Sequence, residues 1–250
     1  LTRDGPDLGT AGFSDGERYQ TSRPAYPPEA VAYLVETLGI TERSHVLDLG
    51  AGTGIFTGQL VPYGPRITAV DPAAGMREVL ARRLPTVEVL EGRDVDIPLA
   101  SGCVDCVVVA QAFHWFDAPR ALEQIHRVLA EGGGLGLIWN ERDQTVGWVA
   151  DLERAMRWPQ LQPYDVGRDF TAVLAAGPFE DVERRTFNFR QVLSHDLLLE
   201  RVLSTSYIAV MGDLERVELM AEVANVVREL PPEVEVPYIT SAYRATAAVR

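Results

Sequence analysis

"HVLDLGAGTGIFTGQL", residues 45–60, decides the fold. An apolar run carries Asp48 near its end, glycines follow at alternate positions (Gly50, Gly52, Gly54), and a helix-like segment opens after them. Alternating glycine builds neither a good strand nor a good helix, because it adds backbone entropy and no packing. In an open parallel sheet, ligands bind beyond the carboxyl ends of the strands, where the strand order reverses. The loop after the first strand is the usual place. Gly50 and Gly52 are therefore expected to let the backbone approach a ligand, and Gly54 to let the next helix pack closely.

Outward from this loop the chain alternates. "PPEAVAYLVETLG" reads as a helix with Pro28 in its first turn, Val31, Leu34, Val35 and Leu38 on one face, and Gly39 as its stop. "HVLDL", "RITAV" ending on Asp71, "VEVL", "CVVVA" and "GGGLGLIW" read as five strands. "PAAGMREVLARRL" and "PRALEQIHRVL" read as helices between them. Nearly unbroken apolar strands alternating with helices argue for an α/β fold whose parallel sheet is covered on both faces. After Asn140 the rhythm changes. Residues 141–180 look helical and irregular, and "DVERRTFNFRQ" alternates like a strand with a solvated face. Residues 196–229 read as two helices broken at Met211-Gly212, and "VPYITSAYRATAAV" as a final strand. The late helices are expected to cap the ligand edge of the sheet. Residues 1–12 are expected to form a flexible arm.

The chain has 250 residues, is 46% hydrophobic, and carries a formal net charge of -13. Such acidity lacks the electrostatic footprint of a nucleic-acid binder. No apolar run is long enough for a membrane span and no signal-peptide pattern opens the sequence, which predicts a cytoplasmic protein. Every basic residue among the Lys+Arg total of 23 is arginine, so no lysine chemistry is available. Cys103 and Cys106 have C-x-x-C spacing, but Cys106 begins a strand-like run rather than a helix. They are expected to be small fillers at a strand entrance, not a redox or zinc pair, and no metal site is expected.

An acid about 20 positions after a glycine loop, at the end of the second strand, takes ribose hydroxyls; Asp71 stands there. A dinucleotide fingerprint is G-x-G-x-x-G. Here Gly54 is fifth and Ile55 sixth, and Asp48 precedes the loop. A buried carboxylate repels a pyrophosphate but suits an ammonium group. S-adenosylmethionine has the ribose, the ammonium and no phosphate, and fits better than NAD(P).

"VLDLGAGTG" with "AVDPAAGM" resembles the class I S-adenosylmethionine-dependent methyltransferases. The likeness continues through "EGRDVDIPL", "VVVAQAFHWFD", "ALEQIHRVLAEGGGLGLIWNERD" and "VPYITSAYR". "FSDGERYQTSRPAYP" and "QAFHWFD" are similar to its trans-aconitate-methyltransferase-like, type 11 branch of small-molecule enzymes. The resemblance implies a Rossmann-like, doubly wound, mostly parallel seven-stranded sheet with helices on both faces and a helical cap. It implies one methyltransferase domain over 1–250, with a lid arm and helix at 13–40, a cofactor-binding core at 41–140, a cap and substrate region at 141–235 and the final strand at 236–250. It implies S-adenosylmethionine as cofactor and S-adenosylhomocysteine as product. Asp48 and the backbone of Gly50, Gly52 and Gly54 would hold the methionine end, Asp71 the ribose, and Pro72 with Met76 the adenine. Asp94 and Val95 would meet the adenine amino edge, with Asp96 as the competing acid. Gln111 would sit by the ammonium and the sulfur.

Methyl transfer from a sulfonium needs alignment and water exclusion, and a base only where the nucleophile must lose a proton. His114 is the candidate base; the other reading makes it pocket wall with Phe113, Trp115 and Phe116. Asp117 reads as an N-cap. Tyr19, Arg23 and Tyr26 read as a lid with Arg23 clamping a carboxylate, or as an arm pinned to the surface. Trp139 and Asn140 read as pocket floor, or as strand end and turn. His126 and His195 are assigned no function. The pocket is expected to be roofed by the arm and by the segment after the fifth strand, and to take a small, partly apolar acceptor. The competing functions are a non-catalytic S-adenosylmethionine-binding scaffold and an NAD(P)-dependent oxidoreductase.

Overall fold

The computed structural model describes residues 23–157 and 169–249. In chain order the elements are α1 (Pro28–Thr37), β1 (His45–Leu49), α2 (Ile55–Leu60), β2 (Arg66–Asp71), α3 (Ala74–Arg83), β3 (Glu88–Glu91), β4 (Val104–Ala110), α4 (Ala118–Val128), β5 (Leu129–Arg142), α5 (Gly147–Ala155), α6 (Thr171–Ala175), β6 (Phe179–Ser194), α7 (His195–Leu203), α8 (Ser206–Ala209), α9 (Asp213–Arg228) and β7 (Glu233–Ala247). The expectations for the arm before residue 23, Tyr19 among them, lie outside the described residues.

The strands form one seven-stranded sheet in the order β3-β2-β1-β4-β5-β7-β6. The five strands from β3 to β5 are parallel, with Leu49 beside Val70 and Asp48 beside Val108. The sheet as a whole is mixed, which corrects the mostly parallel expectation. The amide of Asp143 donates to the carbonyl of Pro237, and Gly134 lies across from Ala245, so β7 runs against β5. Arg244 pairs with Glu183 and Arg190 with Glu235, so β7 also runs against β6. A hairpin-type return needs no crossover helix, and the helices after β6 go elsewhere.

Two compact units share the chain. The larger comprises residues 25–140, 169–188 and 240–249. Its strands alternate between two cores, as the period of a strand requires. Leu47, Leu49, Val107, Val109, Leu135 and Leu137 join Leu122 and Ile125 of α4 on one face. Val46, Cys106, Val108 and Ile138 join Leu34 and Val35 of α1 and Phe56 of α2 on the other. Cys106 behaves as the expected filler: it is 1% exposed, burial pushes its thiol up to about 12, and its sulfur donates to the Leu38 carbonyl.

The second unit takes Arg23 and Pro24 with residues 141–157 and 189–239. Leu152 and Met156 pack there with Leu198, Val202, Ile208, Leu219, Val223 and Val236. Three helices, not two, occupy 195–228, because the chain breaks at Ser204-Thr205 as well as before Asp213. Arg142 and Glu153 form a buried ion pair in this unit, and Tyr207 donates to the Met156 carbonyl at 2.8 Å. No helix of the described residues is long and apolar enough to cross a membrane.

Candidate functional site

The strand order reverses between β1 and β4, and their carboxyl ends lie side by side there with that of β2. The glycine loop follows β1. Gly50 and Ala51 donate to the Val70 carbonyl, Arg83 reaches the Thr53 carbonyl at 2.6 Å, and Gly52 donates to Oδ2 of Asp71 at 2.8 Å. All three glycines have φ between +57° and +78°, where a side chain is strained. Their surroundings differ. A Cβ on Gly54 would come within 2.8 Å of Leu80 of α3, so this glycine lets the start of α2 pack closely on α3 and not on its own strand. Among the described residues a Cβ on Gly52 would meet nothing within 4 Å, so on that side this backbone is open. A Cβ on Gly50 would come within 2.6 Å of the Ala112 Cβ. On the side where a Cβ would stand, Gly50 is therefore packed against the segment after β4.

Asp48 is fully buried on β1. Thr57 of α2 donates to its Oδ2 at 2.6 Å, and its Oδ1 is buried with no hydrogen-bond partner among the described residues. Burial, opposed by the Thr57 hydroxyl and helped by the charge of Asp71, raises this carboxyl to about 7. Asp71 accepts from Gly52 and Ala73, at 2.8 Å each, and burial raises its carboxyl despite these bonds. Arg77 holds the carbonyls of Asp71 and Pro72 and reaches Glu91 at 2.6 Å. Thr57 and Arg77 escaped the sequence reading. Their signal was a polar residue on a buried helix face and an arginine one turn into α3.

Pro72 is half-buried and Met76 is 2% exposed. Between β3 and β4, Arg93 and Asp96 close a tight turn through their main chains. Asp94 and Val95 are half-buried and Asp96 is exposed. Asp94 accepts the Asp117 amide at 2.9 Å, and burial raises its carboxyl. Asp117 takes the N-cap position of α4, but its own side chain makes no capping bond.

Gln111, at the end of β4, has a positive φ of 53°. Its side-chain oxygen accepts the Asn140 amide at 2.9 Å and its nitrogen donates to the Asn140 carbonyl at 3.2 Å. Asn140 in turn donates to the Ala25 carbonyl and accepts from Thr240 at 2.6 Å. A short 3-10 turn, Phe113–Trp115, follows. It sends Phe113 inward, 2% exposed and 5.3 Å from the Phe170 ring, so Phe113 belongs to the core rather than to a pocket wall. His114 and Trp115 stay half-buried. The His114 ring lies 4.5 Å from Trp115 and 4.7 Å from Trp139, with its Nδ1 edge buried.

In the other unit, Arg23 donates to the Ser204 carbonyl at 2.8 Å. Tyr26 packs edge-on to Phe56 at 5.3 Å, and its main chain is bracketed by the Gln59 side chain. His126 and His195 bond the carbonyls of Ala248 and Pro231.

The chain matches the profile of a methyltransferase domain over residues 47–137. It is 37% identical over 239 residues to an uncharacterised methyltransferase of Mycobacterium tuberculosis, covering 92% of this chain and 93% of the relative. It is 32% identical over 236 residues to an uncharacterised methyltransferase-like protein of Schizosaccharomyces pombe, covering 94% and 92%. Its fold is like that of a solved protein of Anaeromyxobacter dehalogenans, provisionally described as a type II methyltransferase. The TM-score is 0.67 at 23% identity, over 91% of this chain and 97% of that one.

Proposed function

Since the chain belongs to the class I S-adenosylmethionine-dependent methyltransferases, we propose that its acceptor is a small molecule and that the cofactor lies along the ends of β1, β2 and β4. The observation that carries the cofactor's position is Asp48. A buried carboxylate with one oxygen unpartnered is costly, and an ammonium group would meet that oxygen. Gly52 offers an open backbone approach beside it. Asp71 would take ribose hydroxyls with the lone pairs that Gly52 and Ala73 leave free. Pro72 and Met76 would border the adenine. Asp94 is the better inward acid for its amino edge, because Asp96 is exposed.

The sulfonium supplies the methyl group in an in-line displacement. The chain's part is to hold, orient and exclude water. His114 would take an acceptor proton through Nε2, since its Nδ1 edge is buried. Trp115 and Trp139, against its ring, fix its orientation. The small-molecule acceptor is supported by the chain's acidity, which disfavours nucleic acid, and by the likeness of "QAFHWFD" to the trans-aconitate-methyltransferase-like branch. A cytoplasmic location belongs to the same reading.

The test is incubation of the protein with methyl-labelled S-adenosylmethionine and a cell extract, separated afterwards by size. Label is expected in the small-molecule fraction, with release of S-adenosylhomocysteine. Label found only in protein or RNA would overturn the acceptor class.

A further inference from the structure

We propose that Gln111 is a positioning residue rather than a cofactor ligand. Its side-chain amide replaces main chain on Asn140, so that β4 leaves the sheet early and lays Ala112 against the glycine loop. The β4–β5 ladder is regular from Cys106 beside Gly134 to Ala110 beside Ile138, and the Gln111 amide still donates to the Ile138 carbonyl at 3.0 Å. From there the main chain of β4 turns away, with Gln111 in the left-handed region. The Asn140 amide and carbonyl would then face nothing from β4. The side chain of Gln111 meets both, one with its oxygen and one with its nitrogen. A primary amide carries the same donor and acceptor pair as a peptide group, so it can extend a ladder that its own backbone has left.

A non-glycine residue with positive φ persists only where its surroundings fix it. The paired bonds to Asn140 do so here. Asn140 is fixed in its turn, through the Ala25 carbonyl and the Thr240 hydroxyl. The early exit has a consequence at the site. Ala112 comes so close to Gly50 that no Cβ fits there, and the turn carrying His114 begins at Ala112. The Gln111 bridge thus sets the spacing between the glycine loop and the His114 turn. The two bonds to Asn140 account for the orientation of this amide without the methionine ammonium, the role implied by resemblance.

The test rests on the cofactor reading for one of its two readouts. Gln111→Glu keeps an acceptor for the Asn140 amide but turns a carboxylate toward the Asn140 carbonyl. S-adenosylhomocysteine binding to the full chain at pH 8, measured by calorimetry, is expected to weaken about tenfold, the scale of one lost hydrogen bond. A direct ligand would behave oppositely, since a carboxylate facing an ammonium holds or tightens binding. The second readout needs no cofactor. Gln111→Met keeps the length and removes both bonds, and hydrogen exchange at the Asn140 amide is expected to accelerate at least tenfold on the same scale. Equal or tighter binding by the Glu variant, or unchanged exchange at Asn140 in the Met variant, overturns the proposal. Failure of the unaltered chain to bind S-adenosylhomocysteine would instead sink the cofactor reading, and the exchange measurement would still decide the bridge.

Discussion

The Thr57 hydroxyl donates to the Asp48 carboxylate at 2.6 Å beneath the glycine loop, and both side chains are fully buried. This one bond ties α2 to β1 and stabilises the charged form of an acid that burial pushes up to about 7.

The first prediction follows from that acid. In the unfolded chain the carboxyl titrates near 4, so between about pH 4 and pH 7 the folded protein keeps a proton that the unfolded chain gives up. Folding stability contributed by Asp48 is therefore fully present below pH 4. It falls as pH rises and is lost above 7, by an amount on the order of 4 kcal/mol. Asp71, raised in the same direction, adds to the slope. Asp48→Asn should flatten the decline in urea midpoints measured from pH 4 to 8. A variant with the slope of the unaltered chain would count against it.

Proton release on cofactor binding is the second. An ammonium beside Asp48 favours its carboxylate, so S-adenosylhomocysteine binding near pH 6.5 should expel a proton. Calorimetry in buffers of different ionisation enthalpy reads that proton directly. It should vanish in Asp48→Asn and shrink toward zero above pH 8.

The third separates two glycines. Gly54→Ala adds a methyl within 2.8 Å of Leu80 at a φ of +78°, and should destabilise the fold by about 2–5 kcal/mol. Gly52→Ala meets nothing among the described residues and should cost about 1 kcal/mol from its positive φ alone, yet weaken S-adenosylhomocysteine binding. Melting curves and titrations on the two variants should rank in opposite orders.

For Asp71→Ala, loss of a charged partner to the ribose should lower S-adenosylhomocysteine affinity roughly ten- to hundredfold, from about 1.5–3 kcal/mol. The loop tether to Gly52 goes with it, so the melting temperature should drop too. Titration showing unchanged affinity would move the ribose away from β2.

Arg142 and Glu153 give the fifth prediction. Both side chains are about 5% exposed or less. Burial works against the Arg142 charge, and Glu153, with Tyr238 and Tyr207 near, more than offsets it. Glu153→Leu should destabilise by about 3–5 kcal/mol, because Arg142 is left buried without its counter-charge. Replacing both, as Arg142→Met with Glu153→Leu, should recover most of that loss in denaturation measurements.

The parallel strands were legible because each is a short apolar run closed by a turn signal, and the sheet reads those runs in alternate directions from the glycine loop. What alternation cannot tell is a partner. "DVERRTFNFRQ" announced a half-solvated strand, but nothing local says that β7 lies between it and β5. The aromatic run "AFHWF" looked like one wall, and only the 3-10 turn separates Phe113 in the core from His114 and Trp115 at the surface of that unit. The side-chain bridge from Gln111 to Asn140 was hidden for a related reason: it follows from a positive φ that no residue type except glycine advertises. The Ser204-Thr205 break carries no glycine or proline, so the helix periodicity ran through it.

The place of β7 between β5 and β6 also governs the order in which the chain can assemble. A ribosome delivers β1 to β5 as neighbours in space, so that half of the sheet can close as it emerges. Among the described residues the only strand neighbour of β6 is β7, and α7 to α9 are synthesised between them. Until β7 arrives, β6 waits as an unpaired edge, and long-range pairings of this kind are slow to form. Such an edge invites contact with other nascent chains. Its own composition answers that hazard: Glu180, Asp181, Glu183, Arg184 and Arg185 crowd its first half, and only afterwards do Arg184 and Glu183 find Ser241 and Arg244. The charges that pair this strand in the finished sheet are the same ones that guard it while it waits.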